Sequence, residues 1–178
     1  RPGRKRYTTR APDRGAGRSS PGPPSAFLAP GLFAGSGNIT HGLGAGGAAA
    51  GVLGPLLAEK PHSIWVANRS VDKSVQLVAR HASLAQSMGV DCQAYGLTHE
   101  AILGQSFDLV INASSSSLHN AALPVPASVL QSNGLACDLM YGPAAQAFMQ
   151  WAHAHGTEAR DGLGMLVEQA AASFQLWR

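Results

Sequence analysis

From residue 38 to the end, short apolar runs rich in β-branched residues alternate with longer Ala/Leu/Gln segments of helical period. That alternation is the signature of βα units feeding a parallel sheet. It predicts strands at NITHGL (38–43), SIWVAN (63–68), VDCQAYG (90–96), FDLVINAS (107–114) and GLACDLMY (134–141). It predicts helices over GGAAAGVLGPLLAEK (46–60), VDKSVQLVARHASLAQSM (71–88), the short HEAILGQ (99–105), AAQAFMQWAHAHG (144–156) and GMLVEQAAASFQLW (164–177). Ser70 falls at the N-cap of the second of these helices with Asp72 in its first turn, and TEARDG leads into the last helix. Pro55 sits inside the first helix, where it should kink the backbone. His41 and Gly42 are poor choices for a strand buried on both faces. The fold expected for 38–178 is α/β, a Rossmann-like doubly wound parallel sheet with helices on both faces.

Residues 1–37 obey no such period. They hold seven Gly and six Pro, and seven Arg or Lys against Asp13 alone. This composition predicts a disordered basic leader. Its net charge of +6 leaves −3 on the other 141 residues, so the basic character lies in the leader and points to no nucleic-acid partner for the domain. The chain starts at Arg1 without an initiating Met and reads as a piece of a longer one. There is no apolar run of membrane-spanning length and no secretory signal, so the expectation is a soluble cytoplasmic protein without a membrane partner. Cys92 and Cys137 are far apart, each within an apolar segment, and read as buried, reduced, structural thiols. The histidines show no ligand spacing with a carboxylate or a cysteine, so no metal site is expected.

The chemistry concentrates in GAGGAAAG (44–51). Here Gly44, Ala45, Gly46, Gly47 and Ala48 stand where a strand turns into a helix, and a diphosphate could rest on backbone N–H groups at the helix N-terminus. A side chain at Gly46 would block that approach. Alone, such a run equally describes a tight βα turn that binds nothing. The next strand adds discrimination. An NAD site ends its second strand on a carboxylate that accepts the ribose hydroxyls, whereas this chain has Asn68, Arg69 and Ser70 there, with Lys73 one turn on. A guanidinium fork, a hydroxyl, a helix-terminal N–H and an ammonium suit a 2′-phosphate. The cofactor expected is NADP(H).

Five separated stretches, GAGGAAAGVLGPLL, VANRSVDK, FDLVINASSSS, CDLMYGP and DGLGMLVEQAAASFQLW, resemble the C-terminal, nucleotide-binding half of the shikimate dehydrogenases over 44–178. The resemblance implies reduction of 3-dehydroshikimate to shikimate with NADPH in aromatic amino-acid biosynthesis. It places Asn112, Ala113 and Ser114 at the nicotinamide-side ribose, Leu139 and Gly162 at the nicotinamide, and Met165 beside the ring. It turns Tyr141 and Gln169 toward the substrate's hydroxyls and carboxylate, and ties Asp161 to a turn. A quinate/shikimate dehydrogenase with looser cofactor choice, and a non-catalytic nucleotide-binding remnant, are the alternatives. Arg69 disfavours the first.

The pattern departs from the family at several points, among them Ala50, where the family often has a basic residue nearby, and the end of the chain, where it usually has a short tail. THGL stands where the family has an apolar strand, and Ser70 where it has Thr. The catalytic Lys and Asp of the family's upstream substrate domain match nothing here, since Lys5, Lys60 and Lys73 lack that context; a chain of this kind is expected to be catalytically incomplete. The codons of RPGRKRY, read one nucleotide later, can encode Ala-Arg-Ala-Val-Asn-Val-Ile, which resembles the family's substrate-loop motif. The leader is therefore either an out-of-frame translation or a natural basic linker.

Overall fold

The computed structural model describes residues 40–97, 100–114 and 125–177. The expected leader over 1–37, residues 38 and 39 of the first strand, and Ser115–Ser117 lie outside them. In chain order the elements are β1 (Thr40–Leu43), α1 (Gly47–Ala58), β2 (Ser63–Asn68), α2 (Val71–Met88), β3 (Asp91–Gly96), β4 (Phe107–Asn112), β5 (Leu130–Asp138), α3 (Gln146–Ala154), β6 (Glu158–Arg160) and α4 (Leu163–Leu176). Among the described residues, short 3₁₀ turns lie at Glu100–Ile102, Ala127–Val129 and Gly142–Ala145.

The six strands form one sheet in the order β3-β2-β1-β4-β5-β6, and every neighbouring pair is parallel. This is the strand order of dinucleotide-binding sheets, in which the order reverses between β1 and β4 and a crevice opens at the strands' C-terminal ends. Alternation along each strand sorts the core into two layers. Ile64, Val66, Leu109, Ile111, Leu135 and Cys137 pack on one face against Leu53, Leu56 and Leu57 of α1 and Leu77 and Ala85 of α2. On the other face Ala67, Phe107, Val110 and Ala136 pack with Phe148 and Ala152 of α3 and with Ile102 and Val129 of the connections. Each fully buried Leu or Phe contributes roughly 1.5–3 kcal/mol relative to exposure, so these two layers are the main term holding helices to sheet.

The expected helix at 99–105 is only the single 3₁₀ turn Glu100–Ile102 among the described residues. The strand expected at 134–141 instead runs Leu130–Asp138, with an irregular register against β4 between Phe107 and Leu109. The segment TEARDG, taken as a connection, contains the edge strand β6. Ser70 holds the N-cap position of α2 but makes no side-chain cap bond. Cys137 is buried as expected, while Cys92 on the outermost strand is only half-buried. Burial pushes both thiols up, to about 11 at Cys92 and about 12 at Cys137, which favours the protonated form.

Candidate functional site

Two glycines shape the turn from β1 into α1 for different reasons. Gly44 has φ +113°, its N–H donates to the Ala67 carbonyl at 2.7 Å, and a Cβ there would lie 2.8 Å from the Ala113 carbonyl oxygen. The end of β1 is thus pressed between the ends of β2 and β4, where the strand order reverses. Gly46, by contrast, would place a Cβ in open space, with nothing but its chain neighbours within 4 Å, and a Cβ on Gly47 would meet nothing outside its own stretch of helix. Gly46, Gly47 and Ala48 are exposed while Ala49 behind them is buried. The turn is therefore a backbone cradle open toward the outside, at the N-terminus of a twelve-residue helix. Such a helix end presents unpaired N–H groups and partial positive charge to an anion.

β2 lies beside β1 with Ala67 in register with Leu43, so Asn68, Arg69 and Ser70 emerge beside the cradle. Asn68 Nδ2 donates to the Ser70 carbonyl at 3.0 Å and closes this turn, and Arg69, Ser70 and Lys73 are exposed. Ser74 is buried, its one hydroxyl proton shared between Val71 O at 2.7 Å and Tyr95 O at 3.0 Å, which ties the first turn of α2 to β3. The positive groups thus stand on a fixed helix start.

On the other side of the reversal, Asn112 and Asp138 are register partners at the ends of β4 and β5 and both are almost fully buried. Asn112 Nδ2 donates to Asp138 Oδ2 at 3.0 Å, and Asn112 Oδ1 accepts from Ser114 N at 3.1 Å and Ser114 Oγ at 2.7 Å. Asp138 Oδ1 accepts the Met140 N–H at 2.8 Å, turning the chain out of the sheet. The bend then meets the start of α4. Gly162 N donates to Met140 O at 2.8 Å, and the Asp161 carboxylate accepts from Gly142 N at 3.1 Å and Leu163 N at 3.2 Å. Asp161 belongs to this turn, as the sequence resemblance implied. Leu139 and Met165 are half-buried here, whereas Tyr141 and Gln169 are exposed. Met165 and Gln169 are one helical turn apart on α4 and share a face.

The structure thus gathers Gly44 to Ala48 with Asn68 to Ser70 on one side of the reversal, and Asn112 to Ser114 with Leu139, Tyr141 and Gly162 on the other, all at the strands' C-terminal ends. Asp138 was missed by reasoning from sequence. Its signal was a lone carboxylate ending the apolar run GLAC. Among the described residues there is no group of three or more His, Cys, Asp or Glu that could hold a metal, and no helix is long and apolar enough to cross a membrane.

A family model described as the shikimate 5′-dehydrogenase C-terminal domain matches residues 162–178. A shikimate dehydrogenase (NADP+) of Methylibium petroleiphilum is 56% identical over 136 residues, which are 76% of this chain and 45% of that protein. Among solved structures, the shikimate 5-dehydrogenase of Thermus thermophilus in complex with NADP(H) and shikimate is 28% identical with a TM-score of 0.62, covering 86% of this chain and 52% of that one. The ligand-free 5-ketofructose reductase of a Gluconobacter strain is 27% identical with a TM-score of 0.68, covering 86% of this chain and 54% of that one. The chain spans about half the length of the curated relatives it matches. By these matches and by its sheet order, the chain is similar to the C-terminal half of the shikimate dehydrogenases.

Proposed function

We propose that this chain is the NADP(H)-binding half of a shikimate dehydrogenase and works in the reduction of 3-dehydroshikimate to shikimate. The observation that carries the reading is the pairing of an open glycine cradle at the α1 N-terminus with Arg69 and Ser70 at the end of the adjacent strand, where no carboxylate stands.

The residues fit the cofactor. Gly46 and Gly47 leave room against bare backbone for a diphosphate, and Arg69, Ser70 and Lys73 offer charge-assisted bonds to a 2′-phosphate. Ala113, Ser114, Leu139, Gly162 and Met165 bound the nicotinamide end, and Asn112 acts there by holding Ser114 in place. When bound, NADPH supplies the hydride for the 3-keto carbon of the substrate. Tyr141 and Gln169 orient that substrate from the protein side, holding its hydroxyls and carboxylate so that the keto carbon sits at near-attack distance. The keto oxygen must also receive a proton from a positioned acid, a contribution typically worth about 10²–10⁴ in rate, and the Lys and Asp that the family uses are not matched in these 178 residues.

The reading is tested by assaying 3-dehydroshikimate-dependent NADPH oxidation with the chain alone and with the upstream substrate domain of the Methylibium relative fused ahead of residue 40. Turnover only in the fusion is expected. A fusion that binds NADPH yet turns over nothing contradicts the assignment of substrate, and turnover by the chain alone contradicts the missing proton donor.

A further inference from the structure

We propose that Asp138 is a positioning residue for the nicotinamide end of this site, acting through its clasp with Asn112; this rests on the NADP(H) reading above. Asp138 is fully buried, and an acidic side chain is seldom placed there unless its oxygens are held by donors. Its two oxygens hold two different things. Oδ2 accepts from Asn112 Nδ2 and locks the end of β5 to the end of β4, while Oδ1 accepts from the Met140 N–H and sets the bend at which the chain leaves the sheet. That bend fixes the Leu139 and Met140 carbonyls. Gly162 packs directly on them, with its N–H on Met140 O and no room for a Cβ beside Leu139 O. The first turn of α4, which carries Met165, therefore takes its place from a carboxylate on β5, with β4 lying between that strand and the β1 end that opens the α1 cradle.

Hydrogen-bond polarity gives the proposal a signature that simple burial would not. In Asp138→Asn, a carboxamide that still accepts from Met140 N must aim its NH₂ at the NH₂ of Asn112, two donors face to face. In Asn112→Asp two carboxylates meet. The exchange N112D/D138N restores every bond described. The carboxylate then at position 112 accepts from Ser114 and from the carboxamide NH₂ at position 138, whose oxygen still accepts from Met140 N.

The test is calorimetric titration of the full 178-residue chain and these variants with two probes, NADPH and adenosine 2′,5′-bisphosphate, the half of the cofactor that carries the 2′-phosphate. We expect D138N to weaken NADPH binding by about tenfold or more, the size of one lost charge-assisted hydrogen bond, to leave adenosine 2′,5′-bisphosphate affinity within about twofold, and the exchange variant to regain most of the NADPH affinity. Equal loss of both probes in D138N would make Asp138 merely structural and overturn the proposal. Unchanged NADPH binding in D138N, or no recovery in a folded N112D/D138N, would overturn it as well. If the unsubstituted chain binds neither probe, the NADP(H) reading itself fails, and the proposal with it. If D138N does not fold, the comparison of the exchange variant with the unsubstituted chain decides: restored affinity for both probes supports the clasp, and selective loss of NADPH contradicts it.

Discussion

A Cβ on Gly162 would lie 2.3 Å from the carbonyl oxygen of Leu139, so the start of α4 rests on the bare backbone of the bend after β5. Contact this close cannot be relieved by a side-chain rotation, because the opposing atoms are main chain. Gly162→Ala should therefore cost about 1–3 kcal/mol in denaturant unfolding, the usual range for forcing one extra carbon into a packed site. It should weaken NADPH more than adenosine 2′,5′-bisphosphate. An unchanged midpoint would show that α4 shifts freely.

Gly44 and Gly46 separate stability from binding. Gly44→Ala puts a side chain at φ +113° and within 2.8 Å of the Ala113 carbonyl, and should destabilise by at least about 1–2 kcal/mol. Gly46→Ala meets nothing beyond its chain neighbours, so its stability should stay within about 1 kcal/mol while dinucleotide binding falls. Melting curves and cofactor titrations on the two variants check the crossing pattern, and a Gly46→Ala chain that binds normally would contradict the cradle.

Arg69 should set the preference for the phosphorylated cofactor. Its replacement by Ala should cost NADPH about 1.5–3 kcal/mol, the worth of a hydrogen bond to a charged group, and leave NADH binding nearly unchanged. Equal losses for both would place Arg69 elsewhere than on the 2′-phosphate.

Gly42 marks a weak point at the centre of the sheet. It lines an apolar pocket with Leu53, Leu56, Ile64, Val66 and Ile111, and a Cβ there would come no nearer to any atom than 3.8 Å, at Trp65 O. The clearance is that of a single methyl group, so Gly42→Ala should raise stability by about 0.5–1 kcal/mol. A lowered unfolding midpoint would mean the pocket is closed by other groups.

The two thiols give a signed pH dependence. Burial raises Cys92 from 9.0 to about 11, with a smaller push from Asp91, and Cys137 from 9.0 to about 12, with smaller contributions from Arg160, Glu158 and Asp138. A thiol that ionises later in the folded chain stabilises it fully below pH 9.0, and that contribution is lost as pH rises through the folded values. Stability should therefore be insensitive to the thiols near neutrality and fall above pH 9.0, with Cys→Ser variants flattening the alkaline limb. Rapid alkylation of Cys137 in the folded chain at neutral pH would contradict its burial.

The sequence was most legible where local and tertiary signals agree. SIWVAN and VDKSVQLVARHASLAQSM form β2 and α2 at the expected bounds, because an apolar run and an amphipathic period are each sufficient there. β6 was hidden because three residues of an edge strand, Glu158–Arg160, carry no apolar run, and only pairing with β5 makes them a strand. The start of β5 was hidden because Gln131, Ser132 and Asn133 are polar and the register slips beside Gly134. At the candidate site, the glycines and Arg69 stand out in the sequence because the features that suggest a cofactor lie in consecutive residues. The Asn112–Asp138 clasp does not, since its partners are 26 positions apart and meet only through the register of β4 and β5.

An NADP(H) site built on the Gly46 cradle and Arg69 is tested most directly by titrating the purified chain with NADPH and with NADH under the same salt and pH in a calorimeter. NADPH is expected to bind at least about tenfold more tightly, as one charge-assisted contact to the 2′-phosphate requires. Equal dissociation constants, or no binding of either cofactor by a folded chain, would contradict it.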